Sequence, residues 1–368
     1  MAETILRNDE RIGFALRELY GSYGYSRFKM SKFEEYELYL QNKDFLAGDR
    51  MITFTGGDGT LLALKPDVTI SIIKNTQGAD AALRKVYYNE NVYRAHRGEG
   101  PFREIMQTGL ECIGAVDEYQ MYEVILLAVK SLETISEDYM LDISHMGLVT
   151  GLMWSAGVPE EQYAKILACI REKNPTELEA TGKKLHLDQR GMALLQLLID
   201  LYGDVAPLLD VLEPYCTHPE AQRALSQLRT IRRLLSAAGL SDRVQLDFSV
   251  VNDMGYYNGI VLQGFVNGLA ERVLSGGQYD KLVEKMGKDF SAIGFAITLN
   301  GLERLAPRGK AHDVDALLLY DEKSSLDEVA RQSQALTKTG KSVLVQKGAG
   351  EEILAAEIID LRGKGAAK

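Results

Sequence analysis

No apolar run in this chain approaches the roughly 20 residues needed to span a bilayer. Its start, MAETILRNDERIGFAL, is acidic and broken by charge, unlike a secretory signal. Both absences predict a cytoplasmic protein with no membrane partner. Cysteine is scarce: Cys112, Cys169 and Cys216 are too widely spaced for a zinc motif and odd in number for a disulfide framework, which predicts reduced thiols. The 5 histidines are scattered and none stands at ligand spacing from another, so neither a metal site nor a cofactor is expected. Basic residues are also short, with 42 Lys and Arg against 52 Asp and Glu and a net charge of −10. That balance argues against a protein whose main task is gripping phosphate backbones, tRNA included.

What is present is the composition of an ordinary globular protein, 46% hydrophobic and 26% charged, in 368 residues, enough for two or three domains. Ile12, Leu16, Leu19 and Tyr20 recur at helical spacing before the glycines of YGSYGYS stop the helix. Two short β-type runs flank the turn GGDG, a hairpin signal, and KPDVTISIIKN leads into a helix beginning near Asp67 or Thr69. RKVYYNENVYRAHRGEGPFREIMQTGLECIG reads as a longer hairpin with a charged tip at His96 to Pro101, and DEYQMYEVILLAVKSLE as an amphipathic helix.

Composition shifts near Thr134, and from there to about Ala238 nearly every segment reads helical. Strands return with RVQLDFSVV, GYYNGIVLQGFV and ERVLSGGQYD, then helices at LVEKMG and from about Leu299 to Leu305. ALLLYD, LDEVARQSQALTKTG and KSVLVQK form a βαβ unit with a parallel pair, ahead of a short Gly/Lys-ending tail. The predicted fold is α+β: a mainly antiparallel sheet flanked by helices in two parts (1–133 and 241–309), split by a helical insertion (134–240) and followed by a small α/β unit (310–368).

The second arm of the long hairpin is oddly decorated. Side chains alternate along a strand, so Gln107, Gly109 and Glu111 share one face while Met106, Leu110 and Cys112 fall outside it. Arg94, Arg103 and Glu111 are compatible with cross-strand ion pairs on a solvated face, Tyr256 and Tyr257 with strand packing, and SGGQYD with a turn. Taken alone these residues favour that structural reading, with a binding pocket as the alternative.

LKPDVT, VYRAHRGEGPFREIMQTGLE, GYYNGIV, SGGQYDKLV and AIGFAITL, in this order and spacing, resemble the class II aminoacyl-tRNA synthetase fold, specifically histidyl-tRNA synthetase. The likeness covers about Glu3 to Leu305. It is closer still to that enzyme's non-synthesising paralogues, the regulatory subunits of ATP phosphoribosyltransferase. The resemblance implies that Asp67, Thr69 and Gln107 hold the amino group of a bound histidine and that Glu111 and Tyr257, beside Tyr256, read its imidazole. Gly276 and Gly277 would permit close backbone approach, with Gln278 and Tyr279 as polar edges. Gly109 would leave the strand bare for the ligand, and Arg94 and Arg103 are possible anion-binding groups. The chemistry agrees, because an ammonium seeks several acceptors and a carboxylate selects an imidazole N–H.

Joining an amino acid to ATP brings a carboxylate against an anionic phosphate, so cations must stand where negative charge accumulates. Relative to the synthetase pattern, Asn252 stands at the catalytic arginine, Gly255 at an aspartate, and His96 at an acidic residue that helps read adenine. His96, at a loop tip, is expected to be solvated rather than catalytic. Asn300 and Gly301 replace a Glu-Arg pair unless an insertion restores Arg304, and the first-motif proline is missing from RFKMSKF. The resemblance therefore implies no catalytic residues, histidine as effector, self-association as a dimer, and a short-form ATP phosphoribosyltransferase catalytic subunit as partner. A divergent working synthetase and a histidine-binding adaptor with another partner are the alternatives.

Overall fold

The long hairpin forms where the alternation predicts it. Strands Arg84–Ala95 and Phe102–Gly114 pair antiparallel, with Tyr88 opposite Gly109, Glu90 opposite Gln107 and Arg94 opposite Arg103. The computed structural model describes residues 7–46, 50–76, 82–95, 101–250, 256–305, 312–348 and 353–363. His96, at the hairpin tip, lies outside them. The chain divides into one unit running from Asp9 to Leu302 and a smaller one holding Glu303 onward together with the residues up to Asn8.

In the larger unit the hairpin belongs to a 9-stranded sheet. From one edge the order is Ser26–Arg27, Arg84–Ala95, Phe102–Gly114, Ser291–Thr298, Leu274–Gln278, Ile260–Val266, Tyr139–His145, Val244–Asp247 and Tyr202–Asp204. Pairing is antiparallel except at Ser26–Arg27 against Arg84–Ala95 and at Tyr139–His145 against Val244–Asp247. One sheet face lies under two helices, Asn8–Ser22 and Glu118–Ile135, tied to each other by the buried Tyr20 and Ser131 hydroxyls at 3.0 Å. Asp117 caps the second helix, accepting from the amides of Tyr119 (2.7 Å) and Gln120 (3.2 Å). Val124, Ile125 and Leu132 on it are fully buried, each contributing about 1.5–3 kcal/mol over exposure. The opposite face presents Gln107 and Glu111.

The predicted 53–64 hairpin is present as Thr53–Thr55 paired with Leu61–Leu64, and Phe33–Glu35 adds a third strand to it. Helix Thr69–Asn75 starts just after Asp67, whose Oδ1 accepts from the Ile70 amide at 3.1 Å.

Three segments here depart from the sequence expectation. Inside the stretch that reads helical, Tyr139–His145 is a strand with pairing on both sides and Tyr202–Asp204 a short edge strand. All but one residue of Tyr139–His145 is buried, so it lacks the alternation that marks a half-buried strand. The helix expected from Leu299 to Leu305 is one 3₁₀ turn, Leu302–Arg304, because Gly301 takes a left-handed φ of 92° just ahead of it. The helical insertion proper follows His145. That buried imidazole caps helix Met146–Ser155 by accepting from the Gly147 amide at 3.1 Å, and burial holds its pKa down to about 4.

The smaller unit contains the expected parallel pair, Val314–Tyr320 with Val343–Lys347, around helix Leu326–Lys338. Ala355–Asp360, largely exposed, adds a third parallel strand on the far side of Val314–Tyr320. All three cysteines are free and buried.

Helices Met146–Ser155 and Pro219–Ala237 touch through Gly151, where an added Cβ would come 2.7 Å from the Ala221 Cβ. Gly151→Val is expected to force them apart and cost about 1–3 kcal/mol, read as a lowered midpoint in urea unfolding.

Candidate functional site

Alternation puts Tyr88 and Arg94 of one hairpin arm on the same sheet face as Gln107 and Glu111 of the other. The segment Lys65–Asp67 is fastened over that face. The buried Lys65 ammonium meets Glu90 Oε2 at 2.6 Å, the Tyr93 amide donates to the Lys65 carbonyl at 3.0 Å, and Arg94 Nε donates to the Pro66 carbonyl at 2.8 Å. A cavity of about 400 Å³ opens between this segment and the sheet. Asp67, Thr69, Arg94, Gln107, Glu111, Tyr256, Tyr257, Gly276 and Tyr279 all line it.

Glu111 is the floor. Only 2% exposed, it accepts hydrogen bonds from Thr69 Oγ1 at 3.0 Å and Tyr279 Oη at 2.6 Å. Burial pushes its pKa up to about 8, against the pull of those two donors. Room for the carboxylate comes from the neighbouring strand, since a Cβ at Gly294 would collide with Glu111 Oε2. Asp67 is committed elsewhere: Oδ1 holds the helix start, and Oδ2 lies 3.6 Å from the Arg94 guanidinium. Burial raises the Asp67 pKa even so, with Arg94 pulling it down.

Aromatic rings close the walls. Tyr256 and Tyr257 meet edge to face at 4.5 Å between centroids, and Tyr256 also approaches Tyr279 and Phe45, at 6.2 and 5.8 Å. Burial raises all of Tyr88, Tyr256, Tyr257 and Tyr279 far above the ordinary phenol value, so each remains a neutral hydroxyl. Both Tyr256 and Tyr257 precede strand Ile260–Val266, which is why they face the cavity rather than pack within the sheet.

Other expectations change. Gly109 does not leave the strand bare: a Cβ there would collide with the Phe295 backbone carbonyl and meet Tyr88 Oη at 2.6 Å, so the glycine makes room for the neighbouring strand and a tyrosine and not for a ligand. Gly277 is outside the lining; its φ of 153° and the Tyr257 ring carbon 2.7 Å from a would-be Cβ show that it seats Tyr257. Gln278 turns to Asp280, donating to Oδ2 at 2.7 Å. Arg103 is exposed at the start of its strand and does not line the cavity. Asn300 Oδ1 accepts from the Met106 amide at 2.7 Å, a structural bond beside the hairpin. Asn252, Gly255 and the Arg304 side chain lie outside the described residues.

The sequence reading missed Tyr88, Asp44, Phe45, Arg171, Arg272 and Ser275, which also line the cavity. The period-2 pattern of VYYNENVYR puts Tyr88 on one face of its arm, and the register of the pair, which the pattern does not give, sets it across from Gly109 on the Glu111 face. Nothing in the sequence marks Arg171, which arrives from the helical insertion. Among the described residues, no group of three or more His, Cys, Asp or Glu could hold a metal ion. None of their helices is long and apolar enough to cross a membrane.

Residues 3–302 match the family model described as histidyl-tRNA synthetase. The chain is 30% identical over 363 residues to an ATP phosphoribosyltransferase regulatory subunit of Acetivibrio thermocellus, covering 95% of this chain and 85% of that protein. It is 27% identical over 335 residues to that of Alkaliphilus metalliredigens, covering 88% and 84%. Among solved structures, an ATP phosphoribosyltransferase regulatory subunit/histidyl-tRNA synthetase from Bacillus halodurans superposes with a TM-score of 0.76 at 24% identity, covering 97% of this chain and 94% of that one. The ATP phosphoribosyl transferase complex from Thermotoga maritima gives 0.62 at 20% identity, covering 80% and 98%. At these identities the structural likeness shows the fold.

The raised Glu111 pKa has a consequence for stability. The folded chain keeps this proton up to about pH 8, whereas the unfolded chain releases it near the ordinary value of 4.5. Between those limits the folded state binds more protons, so Glu111 erodes stability as pH rises and adds no further change above pH 8. Glu111→Gln is expected to equal the wild type near pH 4.5 and to exceed it increasingly toward pH 8, measured by denaturant unfolding across that range.

Proposed function

The chain belongs to the histidyl-tRNA synthetase family, on its branch of ATP phosphoribosyltransferase regulatory subunits, and from that membership we propose that it is a non-catalytic regulatory subunit serving the first step of histidine biosynthesis. It joins a short-form catalytic subunit that links ATP to phosphoribosyl pyrophosphate, and makes that subunit both active and sensitive to histidine. The observation that carries the reading is the Glu111 floor: a buried carboxyl group, held by Thr69 and Tyr279 at the end of a tyrosine-walled cavity, ionises on binding to accept an imidazole N–H. Gln107, only 7% exposed, lines the same cavity and its amide has no hydrogen-bond partner among the described residues, which leaves it free for the ligand's amino or carboxylate group.

Control by histidine is then linkage. The effector shifts the assembly only by binding its inactive and active arrangements unequally, and a pocket that recognises the pathway's end product without consuming it suits that task. Self-association as a dimer belongs to the same reading. Phe33, Phe54 and Leu61 are exposed on the small three-stranded sheet, the two phenylalanines in edge-to-face contact at 5.4 Å, and offer an apolar surface for a second copy.

One observation favours the rival reading of a working synthetase: Arg94, Arg171 and Arg272 line the cavity and could oppose phosphate charge. Histidine-dependent exchange of pyrophosphate into ATP by the purified chain decides between them; no exchange is expected. Isothermal calorimetry should show histidine binding to the wild type and none to Glu111→Ala, with unchanged far-ultraviolet circular dichroism. Unchanged affinity in the mutant would move the effector to another site.

A further inference from the structure

The cavity is electrically lopsided. Its floor is acidic, with Glu111 and Asp67, and Arg94 is already taken up by Asp67 and the Pro66 carbonyl. Two further guanidinium groups line the same space from different parts of the fold. Arg272 stands two residues ahead of strand Leu274–Gln278 and has no hydrogen bond or ion pair among the described residues. Arg171 is the last residue of helix Tyr163–Arg171 in the helical insertion, and its one polar contact is with its chain neighbour Glu172 at 3.0 Å, where both side chains are at least half exposed. Such an exposed contact stabilises little and leaves Arg171 available.

An amino acid whose side chain enters toward Glu111 carries a carboxylate that cannot be left unpaired beside buried acids. Its natural counter-charge is a guanidinium, whose planar fork accepts both carboxylate oxygens. We propose that Arg272 and Arg171 together receive the carboxylate of the bound amino acid, so that the ligand bridges the sheet and the helical insertion. This rests on the amino-acid reading of the Glu111 pocket. The bridge gives occupancy a mechanical outlet: a bound carboxylate draws Arg171 of the insertion toward Arg272 of the sheet. A ligand without that group fills the floor but does not engage the insertion.

Calorimetry on the full chain with L-histidine and L-histidinol, in which a hydroxymethyl replaces the carboxylate, tests the bridge. The wild type is expected to prefer histidine by about 100-fold or more, because each of two charge-assisted hydrogen bonds is worth about tenfold or more. Arg272→Ala and Arg171→Ala should each weaken histidine binding by about tenfold or more while leaving histidinol unchanged. In hydrogen exchange on the wild type, histidine but not histidinol should protect amides in 163–171. A preference that survives both substitutions, or one that falls with Arg272→Ala alone, overturns the bridge while the amino-acid reading stands. A wild type that binds both compounds equally does the same. A wild type that binds neither removes the amino-acid reading and the bridge with it.

Discussion

A carboxylate shut away from water at the bottom of a cavity is a costly thing to keep, and the organisation around Glu111 follows from that cost. Its two hydrogen-bond donors come from separate segments, Thr69 at the start of a helix and Tyr279 just beyond a strand, so satisfying one side chain draws two distant stretches of chain to one point. The raised pKa records that two neutral donors compensate only part of the lost hydration. In the proposed function, an N–H-bearing ligand would supply the remainder. The site is thus stable enough to fold and unsatisfied enough to bind.

The scaffold serves this point by fixing backbone before side chains. The Lys65–Glu90 pair and the bond from Arg94 to the Pro66 carbonyl clamp a short segment across the hairpin face, and Asp67 ends that segment by holding the next helix. Because Lys65 is only 1% exposed, its ammonium depends wholly on Glu90, and loss of either partner would leave a buried charge. Asp67 belongs to this clamp as much as to the pocket. That explains why a residue assigned by resemblance to hold an amino group is found gripping an arginine.

Much of this was legible in the residues alone. Alternation along QTGLE identified the face, GGDG marked the separate hairpin of the small sheet, and five ordered strings specified the fold and most of the cavity lining. What escaped did so for identifiable reasons. Tyr139–His145 is buried on both sides and carries no period-2 signature, so it vanished into a helical neighbourhood. Gly109 looked like an opening because a glycine's neighbour across the sheet, here Tyr88, is a matter of register and not of local sequence. Arg171 lies about 60 residues from any motif and reaches the cavity only through the packing of the insertion.

Gly294 is constrained from two sides. No side chain of any size can stand there while a glutamate occupies 111, since even a methyl group would overlap its oxygen. Nor would loss of the acid release the position, because a Cβ there would still collide with the Leu110 backbone carbonyl: the close approach of two strands, and not the acid alone, reserves 294 for glycine.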